Sequence, residues 1–299
     1  MPAELTPSEL RILLSVSDCG GFTAAAEALG MTQSAVSHSV RGMERKLGAV
    51  LFERLRTGAR PTRAGDRAAA YARRILRLYE VMAAEVRGSG ADDSLTGPLR
   101  IASFRSAALR LLPAALDRLA SKHPQLRPEV RVVRDVGRGT ASEVAEGRAD
   151  LAIAALDGST PLPDSLLTGK LMEEAYFFVH PSGHPDPRSL PLVDWQENCS
   201  AYTRDWWSAQ DWLPRATLTA EDDGTVLALV AQGRGMAVMP ELSLIDAPAS
   251  VTVADLGPAR PTRTIGYATT PELAVMAGVR ALIRELRATR PQRPSGATR

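Results

Sequence analysis

Between Gly30 and Gly48 the chain reads GMTQSAVSHSVRGMERKLG, and Gln33, Ser34, Ser37, His38 and Arg41 carry hydrogen-bonding chemistry at helical spacing. At about 100° per residue they fall with Arg45 on one arc, where an amide, hydroxyls and a guanidinium look outward together. These are the groups that read base edges in a DNA major groove. An ordinary solvated face would mix Glu with Lys at i,i+4 spacing, whereas Glu44 is the one acidic residue here. Val36, Val40, Met43 and Leu47 share an adjoining sector about 60° wide, which is the expected buried stripe.

The elements that must hold this arc are legible around it. Thr32 can cap the helix with its hydroxyl, and Gly30 can close the preceding helix in the left-handed conformation. Upstream, Thr6, Pro7 and Glu9 spell a capping box with a proline start. The helix that follows turns Leu10, Leu13, Leu14 and Ser17 inward and stops at Asp18–Gly21; Thr23 then caps a short helix, AAAEAL. Two helices joined by a tight glycine turn make a helix-turn-helix. Beyond Gly48, AVLFER predicts a strand, Thr57-Gly58 a turn and ARPT a return strand made an edge by Pro61, so the hairpin is a wing.

Charge follows the same outline. From Gln33 to Arg77 eleven Lys or Arg face three acidic residues, whereas residues 1–32 hold Arg11 against Glu4, Glu9, Asp18 and Glu27. Such a distribution suits a surface laid along a polyanion. An anionic membrane is excluded as that polyanion, because no stretch joins a basic face to exposed Trp, Phe or Leu.

With these residues in view, the chain up to about residue 90 resembles the N-terminal part of LysR-type transcriptional regulators. The matching residues are Phe22–Arg54, with TQSAVS and LG..LFER in order, followed by Pro61–Asp66. The resemblance implies that Thr32, Gln33, Ser34, Ser37, His38 and Arg41 face bases or phosphates, and that Arg54, with Arg56, Arg60 or Arg63, reaches the backbone or minor groove. Ser34 and His38 stand where family members often carry Pro and Arg, which bears on the preferred DNA sequence.

From Arg63 to about Arg87 an alanine-rich run without internal proline predicts a helix about 35 Å long. Ala68, Tyr71 or Ala72, Ile75, Leu78 or Tyr79, Met82 and Val86 recur at three- and four-residue steps along it. That stripe meets a second copy of itself or packs on its own domain; in the family, a linker helix here dimerises and sets the spacing of the reading heads.

At 299 residues the chain should hold about two domains. The expected partition is a winged helix-turn-helix over 1–63, a linker helix over 64–88, a flexible linker over 89–97, an α/β domain over 98–290 and a disordered tail over 291–299. From Pro98 strands alternate with helices: LRIAS, a helix over Ala107–Leu119, EVRVV, a helix TASEVAEG and ADLAIAAL, the order of a parallel sheet. A second set, EEAYFFVH, TVLALVAQG, GMAVMP and TRTIGYATT, precedes a last helix over Pro271–Thr289. The resemblance extends loosely here and implies a two-lobed, periplasmic-binding-protein-like effector domain. Lobe I would hold about 98–164 and 269–290 and lobe II about 165–268, with crossovers near 164 and 268.

Ser103, Arg105 and Ser106 follow the first strand where a helix begins, Arg138 follows the second, and Tyr202 and Thr203 are expected on the facing lobe. Arg105 and Arg138 together suit a carboxylate. DWWSAQDW, Asp205–Trp212, offers either stacking on an aromatic effector or packing. The cofactor expectation is therefore none beyond a small-molecule effector, a carboxylate or an aromatic compound.

Two other classes compete with this reading. No G-x-S-x-G, H-E-x-x-H or complete G-x-G-x-x-G motif supports an enzyme fused to a DNA-binding head, and the four scattered histidines suggest no metal site. A redox sensor would use Cys199, yet Ser208 stands where a resolving thiol would be. Two cysteines, no long apolar run and no signal-like N-terminus point to a cytoplasmic protein. The expected partners are double-stranded DNA, further copies of the chain as dimer or tetramer, the effector and RNA polymerase, with no membrane.

Overall fold

In the computed structural model, which describes residues 4–56, 58–88, 95–136, 139–157, 161–195 and 201–289, the first helix starts where its capping residues require. The Thr6 hydroxyl accepts from the Glu9 amide at 3.2 Å and the Glu9 carboxylate accepts from the Thr6 amide at 2.8 Å, opening α1 (Pro7–Cys19). Its buried face is Leu10, Ile12, Leu13 and Val16, with Leu14 and Ser17 only half-buried. The face differs from the expected one because α1 is wedged among three other helices of its unit. The next helix, α2 (Phe22–Leu29), begins earlier than expected: Gly21 is the cap and Thr23 lies inside the first turn, since Phe22 must enter the helix to bury its ring.

Gly30, at φ 64°, closes α2, and Thr32 caps α3 (Gln33–Leu47) by accepting from the Ala35 amide at 3.2 Å. Val36, Val40 and Met43 are buried as the stripe predicts, but Leu47 is 39% exposed, because the last turn runs past the core. The wing pairs β1 (Phe52–Leu55) antiparallel with β2 (Gly58–Pro61), Phe52 opposite Pro61. The long helix α4 (Arg63–Gly88) is nucleated by Thr62, whose hydroxyl accepts from the Gly65 amide at 3.0 Å and donates to the Val50 carbonyl at 2.7 Å. A Cβ at Gly65 would run into the Leu51 carbonyl, so this close approach requires glycine.

The apolar positions of α4 divide between two faces. Ala64, Ala68, Ala72 and Leu76 pack on the core of the helix-turn-helix, so the helix begins inside that domain. Tyr71, Ile75, Leu78, Tyr79, Met82 and Val86 are exposed, from 41% at Ile75 and Leu78 to 71% at Val86. No helix among the described residues is long and apolar enough to cross a membrane.

The chain forms two compact units, Met1–Ser94 with Ala145–Arg148 and Leu95–Val144 with Ala149–Arg299. In the second, the chain order is β3 (Gly97–Ser103), α5 (Arg105–Arg110), α6 (Leu112–Lys122), β4 (Leu126–Val132), α7 (Ala141–Ala145) and β5 (Leu151–Ala155). Then come β6 (Leu167–Pro181), β7 (Leu192–Trp195), α8 (Ala201–Ser208), β8 (Ala216–Ala220), α9 (Asp223–Ala231), β9 (Ala237–Pro240) and β10 (Val251–Asp255). The chain returns through β11 (Thr262–Thr269), α10 (Pro271–Ala274) and α11 (Ala277–Ala288). The helix expected over Ala107–Leu119 is broken at Leu111, because Pro113 has no amide to donate and sits in the first turn of α6.

The sheet is mixed rather than purely parallel. β3 runs parallel to β4 and β5, while β11 is antiparallel to both β5 and β6. β6 is long enough to serve two lobes: Leu167–Ala175 pairs with β11, and Tyr176–Pro181 pairs with β9 and β10. The lobes therefore cross at Ala175–Tyr176 and at Pro261, where the Tyr176 amide donates to the Pro261 carbonyl at 3.0 Å, instead of near 164 and 268. Each lobe has its own core, around Leu99, Ile101, Leu151 and Leu282 in the first and Val179, Trp195, Val230 and Met239 in the second.

Candidate nucleic-acid interface and effector cleft

On α3 the arc divides into readers and struts. Gln33, Ser34, His38, Arg41 and Arg45 are exposed, and the Thr32 hydroxyl lies 3.1 Å from the Ser34 hydroxyl. Ser37, expected to face outward, is only 5% exposed, and its hydroxyl accepts from the Arg54 guanidinium at 2.7 Å. That guanidinium also lies 4.6 Å from the centre of the Phe22 ring, so Arg54 ties the wing to α2 and α3. Ser37 is thus a strut, because the packing angle of α3 turns it toward the wing. Glu44 is tied to the start of the wing: its carboxylate accepts from the amides of Leu51 at 2.8 Å and Phe52 at 3.4 Å. The exposed arc keeps His38, Arg41 and Arg45, which line a groove with Glu44, Gly48, Ala49 and Val50. Arg56 and Arg63 are exposed, and Arg60 meets Glu53 at 3.1 Å with both side chains largely in solvent, a pair that water screens.

In the effector domain the residues after β3 separate. Ser103 is fully buried and its hydroxyl donates to the Phe104 carbonyl at 3.1 Å. Arg105 and Ser106 line one cavity of about 310 Å³ together with Arg110, Ser243 and Asp246. Arg105, expected to be free for an anion, donates to Asp223 at 2.7 Å across the lobes, and the Ser243 hydroxyl holds the other Asp223 oxygen at 2.5 Å. Arg110, Asp223, Ser243 and Asp246 were not singled out from sequence, since 118 residues separate Arg105 from Asp223 and no local pattern links them.

Tyr202 and Thr203 fall on α8, but their side chains, like Arg138 and Cys199, lie outside the described residues, as do residues 89–94 of the linker expected over 89–97 and the tail over 291–299. Of the tryptophans, Trp212 packs edge-on to Phe178 at 5.2 Å and under Arg188 at 4.5 Å, the packing alternative for this stretch. Among the described residues no group of His, Cys, Asp and Glu could hold a metal ion.

Where the lobes cross, Glu174 on β6 and Arg263 on β11 form a buried pair at 2.6 Å. The second Glu174 oxygen accepts from the Leu242 amide at 2.6 Å, and the guanidinium lies 5.0 Å from the Phe104 ring centre. Burial alone would favour a neutral Arg263, but the Glu174 carboxylate outweighs it and pushes the guanidinium pKa up. Nearby Asp135 is pushed up by burial, against the Thr140 and Ala155 amides that donate to its carboxylate. At the start of α9, burial would raise Asp222, yet its capping bond from the Thr225 amide at 2.9 Å and the Thr225 hydroxyl hold it below the usual aspartate value.

Residues 7–66 match the bacterial regulatory helix-turn-helix protein, lysR family, and residues 92–291 match the LysR substrate binding domain. The probable HTH-type transcriptional regulator LrrA of Synechococcus elongatus is 32% identical, over 95% of this chain and 97% of its own. Among solved structures, a full-length OxyR variant from Pseudomonas aeruginosa shares the fold with a TM-score of 0.71 at 23% identity over 95% of each chain. CbnR complexed with its target DNA shares it at 0.65 and 18% identity, over 95% of this chain and 99% of that one. With both family segments matched in order and such a relative spanning nearly its whole length, the chain belongs to the LysR-type transcriptional regulators, which are DNA-binding transcription factors with an effector-binding domain and not enzymes.

Proposed function

We propose that this regulator binds a pseudo-palindromic DNA site as a dimer joined through α4, itself able to pair into a tetramer, in the cytoplasm. Gln33, Ser34, His38 and Arg41 read base edges in the major groove, with Thr32 supporting the helix start. Arg56, Arg60 and Arg63 take backbone phosphates, and Arg54 sets the wing against α3 while approaching the same backbone. A small molecule held between the lobes changes how the two copies are arranged and with it the access of RNA polymerase. The observation that carries the DNA reading is the exposed polar arc of α3, Gln33, Ser34, His38, Arg41 and Arg45, beside which the Glu44 carboxylate is bound by the Leu51 and Phe52 amides.

The test is fluorescence anisotropy of the full chain and Arg41→Ala on DNA upstream of its own gene and on scrambled DNA. We expect selective binding by the wild type and a loss of about 1–3 kcal/mol in Arg41→Ala on the selective site. Equal binding to both DNAs, or none at low salt, would overturn it.

A further inference from the structure

The cavity bounded by Arg105 and Ser106 has a charge pattern that selects among ligand classes. It lies between α5 of the first lobe and α9 with the turn after β9 of the second, and Leu109, Leu227 and Leu242 form its apolar wall. Its charged groups come as two pairs, Arg105 with Asp223 and Arg110 with Asp246. In each, the guanidinium belongs to the first lobe and the carboxylate to the second.

The two pairs are unequal in exposure. The Asp223 side chain is 5% exposed, while that of Arg105 is 43% exposed. Gly224 permits this arrangement, because a Cβ there would lie 2.6 Å from one Arg105 guanidinium nitrogen. A ligand that carried only a carboxylate would draw Arg105 away and leave Asp223 buried without a cation, which is strongly unfavourable. A ligand that carried only an ammonium would satisfy Asp223 and waste both guanidiniums. A molecule with both charges a few bonds apart replaces both pairs at once. The volume of about 310 Å³ is at the low end of small-molecule sites, roughly 300–1,000 Å³, so the ligand is compact.

We infer that this cavity takes a zwitterion of the α-amino-acid class, its carboxylate on Arg105 and Arg110, its ammonium on Asp223 and Asp246, and its side chain against Leu109 and Leu227. This rests on the reading of the chain as an effector-responsive regulator and names the effector class. Exchange of the cross-lobe pairs for ligand contacts couples occupancy to the separation of the lobes.

Calorimetric titration of the full-length chain with each standard L-amino acid tests it, followed, for any that binds, by the amine lacking the carboxylate and the acid lacking the ammonium. At least one amino acid should bind, with both counterparts weaker by about tenfold or more. Asp223→Asn and Arg110→Gln should each weaken it by about tenfold or more. Gly224→Ala, which displaces Arg105, should weaken it as well, with circular dichroism showing each variant folded. The inference is overturned if no amino acid binds, if the acid alone binds as well as the zwitterion, or if folded variants bind undiminished. The readout needs no DNA, so loss of DNA selectivity in the anisotropy experiment would count against the regulator reading and leave this result standing on its own.

Discussion

The residues that matter most individually are those whose partners cannot be replaced by water. Glu174 is wholly buried and serves two lobes at once, through Arg263 and the Leu242 amide. Glu53 pairs with Arg60 at 3.1 Å in solvent. Burial decides which matters: Glu174→Gln should cost roughly 3–5 kcal/mol by stranding a buried guanidinium, whereas Glu53→Gln should cost about 0–1 kcal/mol. All four tryptophans lie between Trp195 and Trp212, so urea unfolding followed by tryptophan fluorescence reports the effector domain, and its midpoint should fall for Glu174→Gln. An unchanged midpoint would mean the pair is relieved by water or rearrangement. The helix-turn-helix residues were largely legible because caps are local: Thr6, Thr32 and Gly30 declare themselves within four residues. The inward turn of Ser37 leaves no local sign, because its partner, Arg54, is 17 positions away in a different element.

Among the elements, α4 presents an apolar face from Tyr71 to Val86 that its own domain does not cover. Exposed leucine- and aromatic-sized side chains at three- and four-residue steps are the pattern of a helix–helix seam. Ile75→Glu with Met82→Glu should therefore convert the chain to a monomer in sedimentation velocity and abolish binding to a two-half-site DNA. A dimer surviving both changes would place the contact elsewhere. The pair α6 and α11 is clamped differently, through Glu285, which accepts from Lys122 at 2.7 Å and Arg118 at 3.1 Å. The Lys122 hydrogen bond, ahead of the others, holds Glu285 below the usual glutamate value. A depressed carboxylate contributes stability that is present above its unfolded value and is lost as pH falls through the folded one. Glu285→Gln should accordingly flatten the acid side of the stability–pH profile and lower stability at neutral pH, measured by denaturant midpoints across that range. Periodicity exposed the long helix and its stripe, but could not assign Ala72 inward and Tyr71 outward, because both satisfy the same spacing.

At the scale of the whole molecule, the chain carries a formal charge of only +2, yet the segment from Gln33 to Arg77 concentrates eleven basic residues. Attraction to DNA is therefore a local field and depends on salt through the phosphates that this segment neutralises. Arg56→Ala should weaken binding about equally on cognate and scrambled DNA and reduce the slope of log affinity against log salt by about 1 per protomer. A sequence-selective loss would instead make Arg56 a base reader. The effector domain works on a different principle, two lobes joined through β6 and the Pro261 crossing and bridged by Arg105 to Asp223. The first lobe crossing was expected about eleven residues early, ahead of β6, since a strand that changes partners halfway shows no change in its own residue pattern.

Sequence alone determined the helix-turn-helix, its wing, the long α4 and the alternation of strands and helices that follows. Caps, turn glycines and apolar periodicity act over a few residues and are written where they act. Only tertiary structure decided that Ser37 and Arg54 brace one another, that the sheet is mixed, and that Asp223 comes from the opposite lobe to meet Arg105. Those contacts depend on the packing of elements far apart in the chain, and side-chain type at either end gives no sign of the partner until the core has brought them together.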